Sequence, residues 1–336
     1  MSQFRMPAEW EPQEATWLGW PCNKDTWPEN LAAAQAEFVA LVRAICESQQ
    51  ANVMVGEGDS RVALESLAGI KRCRVLPFRT NDAWARDYAP TFVVEQDGQK
   101  LVSVDWHYNA WGGKYPPFEN DQQIAKRVAD HLQIQNVAGG ICFEGGAIEV
   151  NSDGVLLTTE SCALNLNRNA GKSRSEVESI LMKRLGCKRV VWLPGDSDGK
   201  PVLPGDDTDG HVDQLFRFVN DSTIVHAACH ESDARWVGIA KNVNSLKEQL
   251  PDVQLVPLQL PNEFEHCGRV IPASYCNFVI TNHSVIVPQF EVPEDSLAVE
   301  TIHSLFPNRK LVPLPCRELA VGLGSFHCLT QQQPKV

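Results

Sequence analysis

The chain has 336 residues, of which 43% are hydrophobic and 21% are charged, the balance of an ordinary soluble globular protein. Its formal net charge of −12, without a basic stripe, argues against nucleic acid as a partner, because phosphate contacts need Lys and Arg. The N-terminal residues lack the apolar segment of a secretory signal, and no uninterrupted apolar run approaches membrane-spanning length. We therefore expect a cytoplasmic protein without a membrane partner.

The eleven cysteines are an odd set scattered along the chain, and none of them forms a C-x-x-C pair. This distribution predicts neither a disulfide framework nor a structural zinc site. Most of these cysteines are expected to be small buried side chains. At most one or two should be reactive.

Amphipathic stretches with helical spacing recur along the chain. In the first, Thr26 and Glu29 are expected to form a capping box before the apolar series from Leu31 to Ile45. Four more begin near Asp121, Ser173, Asp233 and Glu294. Ser173 and Glu176 repeat the capping signature. From the second to the fifth, the helices recur roughly every 50 to 60 residues, which indicates repeated supersecondary units.

Four short strand-like runs end in proline, at Pro77, Pro194, Pro257 and Pro313. Proline at a strand end stops the hydrogen-bond ladder, so each is expected to start a polar loop. Three of these loops carry most of the chemically active side chains, at residues 81–87, 206–213 and 322–328. If the units surround an axis, the loops meet at one end, where function usually lies. Because no linker or low-complexity tract interrupts the chain, we expect one domain over residues 1–336.

Cys328 is a candidate nucleophile. A thiolate nucleophile needs a proton partner, which is usually distant in sequence. His211, two residues before Asp213, is the best available partner. His327 competes with it, but adjacent residues of an extended segment point to opposite sides. Taken alone, these features also have structural explanations: turn chemistry for the acidic loop, packing for Cys328, and a surface ion pair for Arg86 and Asp87.

Taken together, one cysteine, one histidine and several carboxylates suit a positively charged planar group that sulfur attacks, such as guanidinium. Asp87 and Asp213 could each hold two guanidinium nitrogens and turn the carbon toward Cys328. As an imidazolium, His211 would favour the thiolate, protonate the departing ammonia and later activate water. Glu144, a carboxylate that enters an apolar strand, would orient His211.

Two further features have more than one interpretation. Trp84 and Trp111 are either core residues or walls for a flat or cationic ligand. The acidic spacing over residues 207–211 mimics a calcium loop, but Phe218 stands where an EF-hand needs a bidentate Glu. We therefore expect neither a metal nor another cofactor.

Six motifs, in order along nearly the whole chain from Met6, resemble the agmatine deiminase and bacterial peptidylarginine deiminase group of guanidine-modifying enzymes in the pentein superfamily. The motifs are Trp84-Ala85-Arg86-Asp87-x-x-Pro90, Asn109-Ala110-Trp111-Gly112-Gly113-Lys114-Tyr115, Phe143-Glu144-Gly145-Gly146, Asn165-x-Asn167-Arg168-Asn169, Asp207-Thr208-Asp209-Gly210-His211-x-Asp213 and His327-Cys328-x-Thr330-Gln331-Gln332-x-Pro334. The chain departs from the family pattern at Ala89 and Leu323, which replace the usual glycines. These departures bear on substrate preference more than on reaction type.

The resemblance implies an α/β fold, a five-bladed α/β-propeller of ββαβ-like units around a central active site. It implies hydrolysis of agmatine to N-carbamoylputrescine and ammonia, as in putrescine biosynthesis, through a covalent thiouronium intermediate on the cysteine. The implied roles are nucleophile for Cys328, acid/base for His211, guanidinium binding for Asp87 and Asp213, and histidine partner for Glu144. There are two alternatives. The enzyme acts on another guanidine, such as peptidylarginine, or the chain is a catalytically inactive relative that acts as a binding protein. The oligomeric state is left open.

Overall fold

The computed structural model describes residues 3–96, 98–196 and 199–336. The strands are β1 (Phe4–Arg5), β2 (Gln13–Gly19), β3 (Gln50–Met54), β4 (Cys73–Leu76), β5 (Thr91–Glu95), β6 (Leu101–His107), β7 (Gln135–Cys142), β8 (Glu149–Val150), β9 (Val155–Thr159), β10 (Arg189–Leu193), β11 (Phe216–Asn220), β12 (Thr223–Ala228), β13 (Gln254–Gln259), β14 (Glu265–His266), β15 (Arg269–Val270), β16 (Val279–Ile280), β17 (Ser284–Gln289), β18 (Lys310–Pro315) and β19 (Thr330–Pro334). The α-helices are α1 (Leu31–Cys46), α2 (Ser60–Ser66), α3 (Ala85–Tyr88), α4 (Ala110–Gly113), α5 (Ile124–Leu132), α6 (Glu160–Ala163), α7 (Leu166–Asn169), α8 (Arg174–Leu185), α9 (Trp236–Gln249), α10 (Asp295–Leu305) and α11 (Arg317–Ala320).

Five sheets in the described part of the chain share one pattern. In each, an antiparallel strand pair is followed by a helix and then by a strand parallel to the second strand of the pair. In one unit, for example, β11 and β12 are antiparallel, α9 follows, and β13 lies parallel to β12. The five units are β19–β2–β3, β5–β6–β7, β8–β9–β10, β11–β12–β13 and β16–β17–β18. The repeated units predicted from the helix spacing are confirmed, and the fold is mixed α/β.

The first and last long strands of the chain belong to one sheet. β19 pairs antiparallel with β2, with Thr330 opposite Leu18 and Gln333 opposite Ala15. Cys328 comes two residues before β19, and its carbonyl accepts a hydrogen bond from the Arg86 backbone N–H at 3.1 Å. This strand pairing therefore places the C-terminal cysteine beside the loop that follows β4.

The capping predictions have different outcomes. At α8, Ser173 and Glu176 form the predicted capping box. The predicted box at Thr26 and Glu29 is wrong, because α1 begins at Leu31 with Asn30 as its N-cap residue. The Thr26 hydroxyl donates instead to an Asp82 carboxylate oxygen at 2.5 Å. A long-range contact has replaced the local cap.

The prolines also divide into two groups. Pro77 and Pro194 follow β4 and β10, as predicted. Pro257 and Pro313 do not end their strands but lie inside β13 and β18. Both of these strands are at the edge of their sheets, where a residue without an N–H group costs no ladder hydrogen bond.

The apolar positions of the helices and strands are buried as their spacing predicts. In α1, for example, Ala34, Phe38 and Leu41 are fully buried. In β9, four of the five residues are buried. Within the described ranges, no helix combines the length and apolar character needed to cross a membrane.

Candidate active site

A cavity of about 610 Å³ lies where the three predicted loops meet. Its wall includes residues from all three loops: Asp82, Trp84, Asp87, Gly205, Asp207, Thr208, Gly322, Leu323, Gly324 and Cys328. Trp111 and Tyr115 from the segment around α4 complete part of the wall, and Arg269 on β15 adds one cation. Convergence of the loops is therefore confirmed. The cavity wall is rich in carboxylates, which favours a cationic ligand.

The Cys328 side chain reaches this cavity from an almost fully buried position. Its Sγ is 3.2 Å from Nδ2 of Asn277 and 3.7 Å from Oδ2 of Asp213. Burial raises the pKa of the thiol well above its usual value, and the nearby Asp213 and Asp87 carboxylates raise it further. Cys328 is therefore a neutral thiol when no cation lies beside it.

Asp213 is fully buried behind Cys328. Its Oδ2 is 2.7 Å from Nδ1 of His327 and accepts a weaker contact from Asn277 Nδ2 at 3.3 Å. Burial alone would raise the Asp213 pKa, but the His327 contact and charge outweigh burial and lower it. Its other oxygen, Oδ1, is buried without a hydrogen-bond partner in the described ranges. Asp213 is thus an ionised group with one free acceptor.

His327 supports Asp213, and its ring bridges two carboxylates. Nδ1 faces Asp213, and Nε2 is 3.0 Å from Oε2 of Glu9. The segment around His327 is a turn, so the expected extended geometry is wrong. Glu9 in turn pairs with the fully buried Arg217, which also holds Glu149 at 2.9 Å. A network of buried charges therefore fixes the position of Asp213.

Asp87 lies on the cavity wall and is also almost fully buried. Its Oδ1 accepts from the Gly146 backbone N–H and its Oδ2 from Trp111 Nε1, both at 2.9 Å. Burial raises the Asp87 pKa to about 6 despite the neighbouring His211. The surface ion pair considered for Arg86 and Asp87 is wrong, since Arg86 is buried and donates to His327 O and to Gln332.

His211 is fully buried between two carboxylates. Its Nδ1 is 3.8 Å from Asp87 Oδ1 and its Nε2 is 3.5 Å from Glu144 Oε2. Burial lowers the His211 pKa, but the Asp87 and Glu144 carboxylates raise it to a net value well above normal. A Cβ atom on Gly146 would lie 2.4 Å from Nδ1, so only glycine leaves room for the ring. The two carboxylates therefore favour the imidazolium form of His211.

Glu144 is held on its far side by Arg168, whose Nε lies 2.8 Å and 3.0 Å from the two carboxylate oxygens. Burial raises the Glu144 pKa, but Arg168 and His211 outweigh it and lower the pKa to about 2. Arg168 also pairs with Asp209 of the acidic turn at 2.5 Å. The turn, Glu144 and the imidazole are thus locked together.

The acidic turn over residues 206–213 uses its carboxylates mainly for structure. Asp206 accepts hydrogen bonds from the Thr208 hydroxyl at 2.7 Å and from the Gly210 N–H at 3.2 Å, so it shapes the turn. Asp207 accepts from the Tyr115 hydroxyl. Asp209, with φ of 64°, pairs with Lys114 at 2.9 Å as well as with Arg168. Because these oxygens face different partners, the turn does not have the form of a calcium loop.

Both predicted tryptophans line the cavity. Trp111 donates to Asp87, and Trp84 packs on Trp27 with ring centroids 5.5 Å apart. Added Cβ atoms on Gly322 and Gly324 would each lie 2.6 Å from the Trp84 ring. Glycine at these two positions before Cys328 therefore leaves room for the Trp84 indole to pack closely against the backbone.

Asn277 is a site residue that sequence reasoning missed. Its Oδ1 accepts from the Cys328 N–H at 3.2 Å and the Ser325 hydroxyl at 3.1 Å, which turns Nδ2 toward Cys328 Sγ and Asp213. The available signal was an amide between Cys276 and Phe278, the same argument that drew attention to Glu144. The sequence pattern indicates His327 only as a rival base and predicts no role for Arg168.

The chain is similar to known proteins in both sequence and fold. The sequence profile of the Porphyromonas-type peptidyl-arginine deiminase family matches residues 5–334. The agmatine deiminase of Pseudomonas savastanoi pv. phaseolicola is 36% identical over 98% of this chain and 95% of that protein. The solved agmatine deiminase of Enterococcus faecalis has a TM-score of 0.92 at 29% identity, covering 99% of this chain and 96% of that one. A DDAH from Pseudomonas aeruginosa, 12% identical, shares the fold with a TM-score of 0.53 over 96% of this chain and 99% of that one. The chain therefore belongs to the Porphyromonas-type peptidyl-arginine deiminase family.

Proposed function

We propose that this protein hydrolyses agmatine to N-carbamoylputrescine and ammonia, with Cys328 as the nucleophile. The observation that carries the proposal is the free Oδ1 acceptor of Asp213, buried behind the thiol of Cys328. An unpartnered buried acceptor costs about 1–3 kcal/mol, which a ligand with N–H donors would recover. A guanidinium carries five such donors in a rigid plane and remains protonated at neutral pH.

The positive charge of the bound substrate favours ionisation of the Cys328 thiol. A guanidinium between Asp87 and Asp213 neutralises the two carboxylates that raise the Cys328 pKa. Its own positive charge then favours the thiolate, and the thiol proton is released to solvent. The Asn277 Nδ2 donor at 3.2 Å stabilises the sulfur anion.

The reaction then takes two steps on the same carbon. The thiolate adds to the guanidinium carbon, His211 donates its proton to one nitrogen, and ammonia leaves to give a thiouronium. Neutral His211 next takes a proton from a water molecule, and the oxygen of that water adds to the same carbon. The C–S bond breaks, the hydroxyl proton passes to sulfur, and the ureido product leaves. Glu144, fixed by Arg168, holds the imidazole through both steps.

The acidic side chains of the cavity wall favour agmatine over free arginine. Agmatine is a dication without a carboxylate, and Asp25, Asp82 and Asp207 add negative charge to the wall. Burial and the neighbouring Asp206 raise the Asp207 pKa to about 6, and a nearby ammonium would keep this carboxyl ionised. The α-carboxylate of arginine would instead face like charges. Trp84 and Trp111 are proposed as walls for the alkyl chain and the guanidinium.

The arrangement of the five units is also part of this proposal. We infer that they close as a five-bladed propeller around the cavity, as one domain over residues 1–336. The pairing of β19 with β2 and the origin of the cavity wall in several units support this inference. The cytoplasmic location and the absence of nucleic-acid and membrane partners stay predictions from composition.

The substrate is tested with equal concentrations of agmatine, free arginine and an arginine-containing peptide, by measuring ammonia and the ureido product. We expect kcat/KM for agmatine to exceed the other two values by at least about 100-fold. Free arginine adds a carboxylate to an acidic wall, and an arginine residue inside a peptide lacks the ammonium group of agmatine. Equal or better turnover of arginine or the peptide would assign the enzyme to another guanidine substrate. No turnover of any of the three would favour a binding protein.

Leu323 should restrict the substrates that enter. It lines the cavity with φ of 72°, a left-handed conformation that favours glycine. Ala89, by contrast, is buried with an ordinary φ of −72° and ψ of 159°. We expect Leu323→Gly to raise kcat/KM for an Nα-acylated arginine amide relative to agmatine by about 10-fold or more, because loss of the leucine side chain widens the cavity. Leu323→Ala is the matched control for bulk. If both variants keep the wild-type ratio, Leu323 does not set specificity.

A further inference from the structure

His266, Cys267 and Glu318 form a group of metal-type ligands outside the catalytic centre. Each offers one ligand atom, and the three atoms lie within 4.8 Å of one another. Nε2 of His266 is 2.9 Å from Oε1 of Glu318. Ligand atoms of a tetrahedral zinc ion are roughly 3.3–3.6 Å apart, given bonds of about 2.0–2.3 Å. The distances in this group, from 2.9 Å to at most 4.8 Å, bracket that range.

The backbone presents the cysteine in an unfavourable conformation. Cys267 and Gly268 form the turn between β14 and β15, with φ of 47° and 71°. Such two-residue turns favour Asn, Asp or Gly, which tolerate positive φ. A cysteine here is strained, and strain of this kind concentrates at functional positions. The conformation leaves Cys267 exposed beside His266.

Glu318 is already oriented as a metal ligand. Asn30 Nδ2 donates to its Oε2 at 2.7 Å, which leaves Oε1 facing His266. Support from behind by a neutral hydrogen bond is typical of metal-binding carboxylates. The neighbouring cation, Arg317, is engaged elsewhere, since it donates to the Phe290 carbonyl and lies over the Phe264 ring.

The electrostatics also favour a cation at this place. The carboxylates of Glu318 and Glu29 place negative charge near the Cys267 thiol. A bound divalent ion would offset those charges and displace the thiol proton. A second group, Glu144, His211 and the nearby Cys162, has a similar spacing but is fully buried, and Arg168 already neutralises Glu144. Of these two groups, the exposed one is open to an ion from solvent.

We propose that His266, Cys267 and Glu318 bind one Zn²⁺ ion, with water as the fourth ligand. A mixed sulfur, nitrogen and oxygen set suits zinc better than magnesium or calcium, which prefer oxygen alone. The ion would join the β14–β15 hairpin to α11 at the rim of the cavity, where Arg269 lines the wall. The proposal does not depend on the identity of the substrate.

Zinc binding is tested on the metal-stripped, reduced full chain by competition with a chromophoric chelator. We expect one Zn²⁺ per chain in the wild type, and at least a tenfold weaker affinity in Cys267→Gly and in Glu318→Gln. Cys229→Ser, which changes another partly accessible cysteine, is the matched control and should bind as the wild type does. With Co²⁺ as the probe, a thiolate-to-cobalt charge-transfer band should appear in the wild type and disappear in Cys267→Gly.

The Cys267→Gly variant also separates loss of a metal ligand from loss of the folded structure. Because glycine relieves the positive φ, this variant should unfold at the same temperature as the metal-free wild type or a higher one. Wild-type affinity for zinc in Cys267→Gly would overturn the proposal. Loss of the bound ion in Cys328→Ser but not in Cys267→Gly would do the same, since it would place the ion in the catalytic centre.

Discussion

Replacing Cys328 with serine should lower kcat for agmatine by roughly 10⁴-fold or more while the protein stays folded. The sulfur lines the cavity, 3.7 Å from the Asp213 carboxylate, and is the nucleophile of our proposal. A serine hydroxyl at this position has a far higher pKa than a thiol, and a guanidinium cannot ionise it. Ammonia release under saturating agmatine measures the effect, and circular dichroism checks the fold.

Cys22→Ser is the control for this substitution. Cys22 is a partly buried cysteine near the cavity. Burial and the carboxylate of Asp82, which lines the cavity, raise the pKa of the Cys22 thiol to about 12. We expect this variant to retain wild-type turnover. In addition, mass spectrometry of rapidly quenched wild-type enzyme should show a covalent adduct that is absent from Cys328→Ser. Turnover that survives in Cys328→Ser would show that sulfur does not attack the substrate.

The second large effect is expected for Asn277→Asp, which changes one amide nitrogen to oxygen. The acceptor that holds the Cys328 N–H and the Ser325 hydroxyl is kept. The Nδ2 donor is lost, and a negative charge replaces it 3.2 Å from the sulfur and 3.3 Å from Asp213. Removal of one donor to a developing anion costs about 10²–10³-fold in kcat, and we expect a loss of that size.

The pH dependence distinguishes this role from a merely structural one. Without the donor, the pKa of Cys328 in the substrate complex rises, so the acidic limb of the kcat profile should move to higher pH. Ser325→Ala removes only one hydrogen bond to the Asn277 carbonyl oxygen and should lose less than about tenfold. A slower Asn277→Asp enzyme with an unshifted acidic limb would mean that the amide only supports the loop.

Local patterns in the sequence predict the repeating elements well. Helical spacing marks α1, α5, α8, α9 and α10, because the faces that these helices bury are built from residues three and four apart. Local rules fail where a distant partner competes. Thr26 does not cap the helix, because its hydroxyl donates to Asp82 instead. Pro257 and Pro313 lie within their strands, because these edge positions require no N–H donor.

The sequence by itself determined the candidate groups of this protein, which are a thiol, an imidazole and a set of carboxylates, and the family to which their order belongs. These depend on residue type and spacing, which are local properties. Only the tertiary structure decided how the groups act on one another. Pairing of β19 with β2 brings Cys328 beside the loop at Asp87. Because the Asp87, Asp213 and Glu144 carboxyls are all buried, their partners decide which of them stay ionised. Asn277 acquires its role because its amide meets a sulfur 51 residues away, a contact that no local pattern encodes.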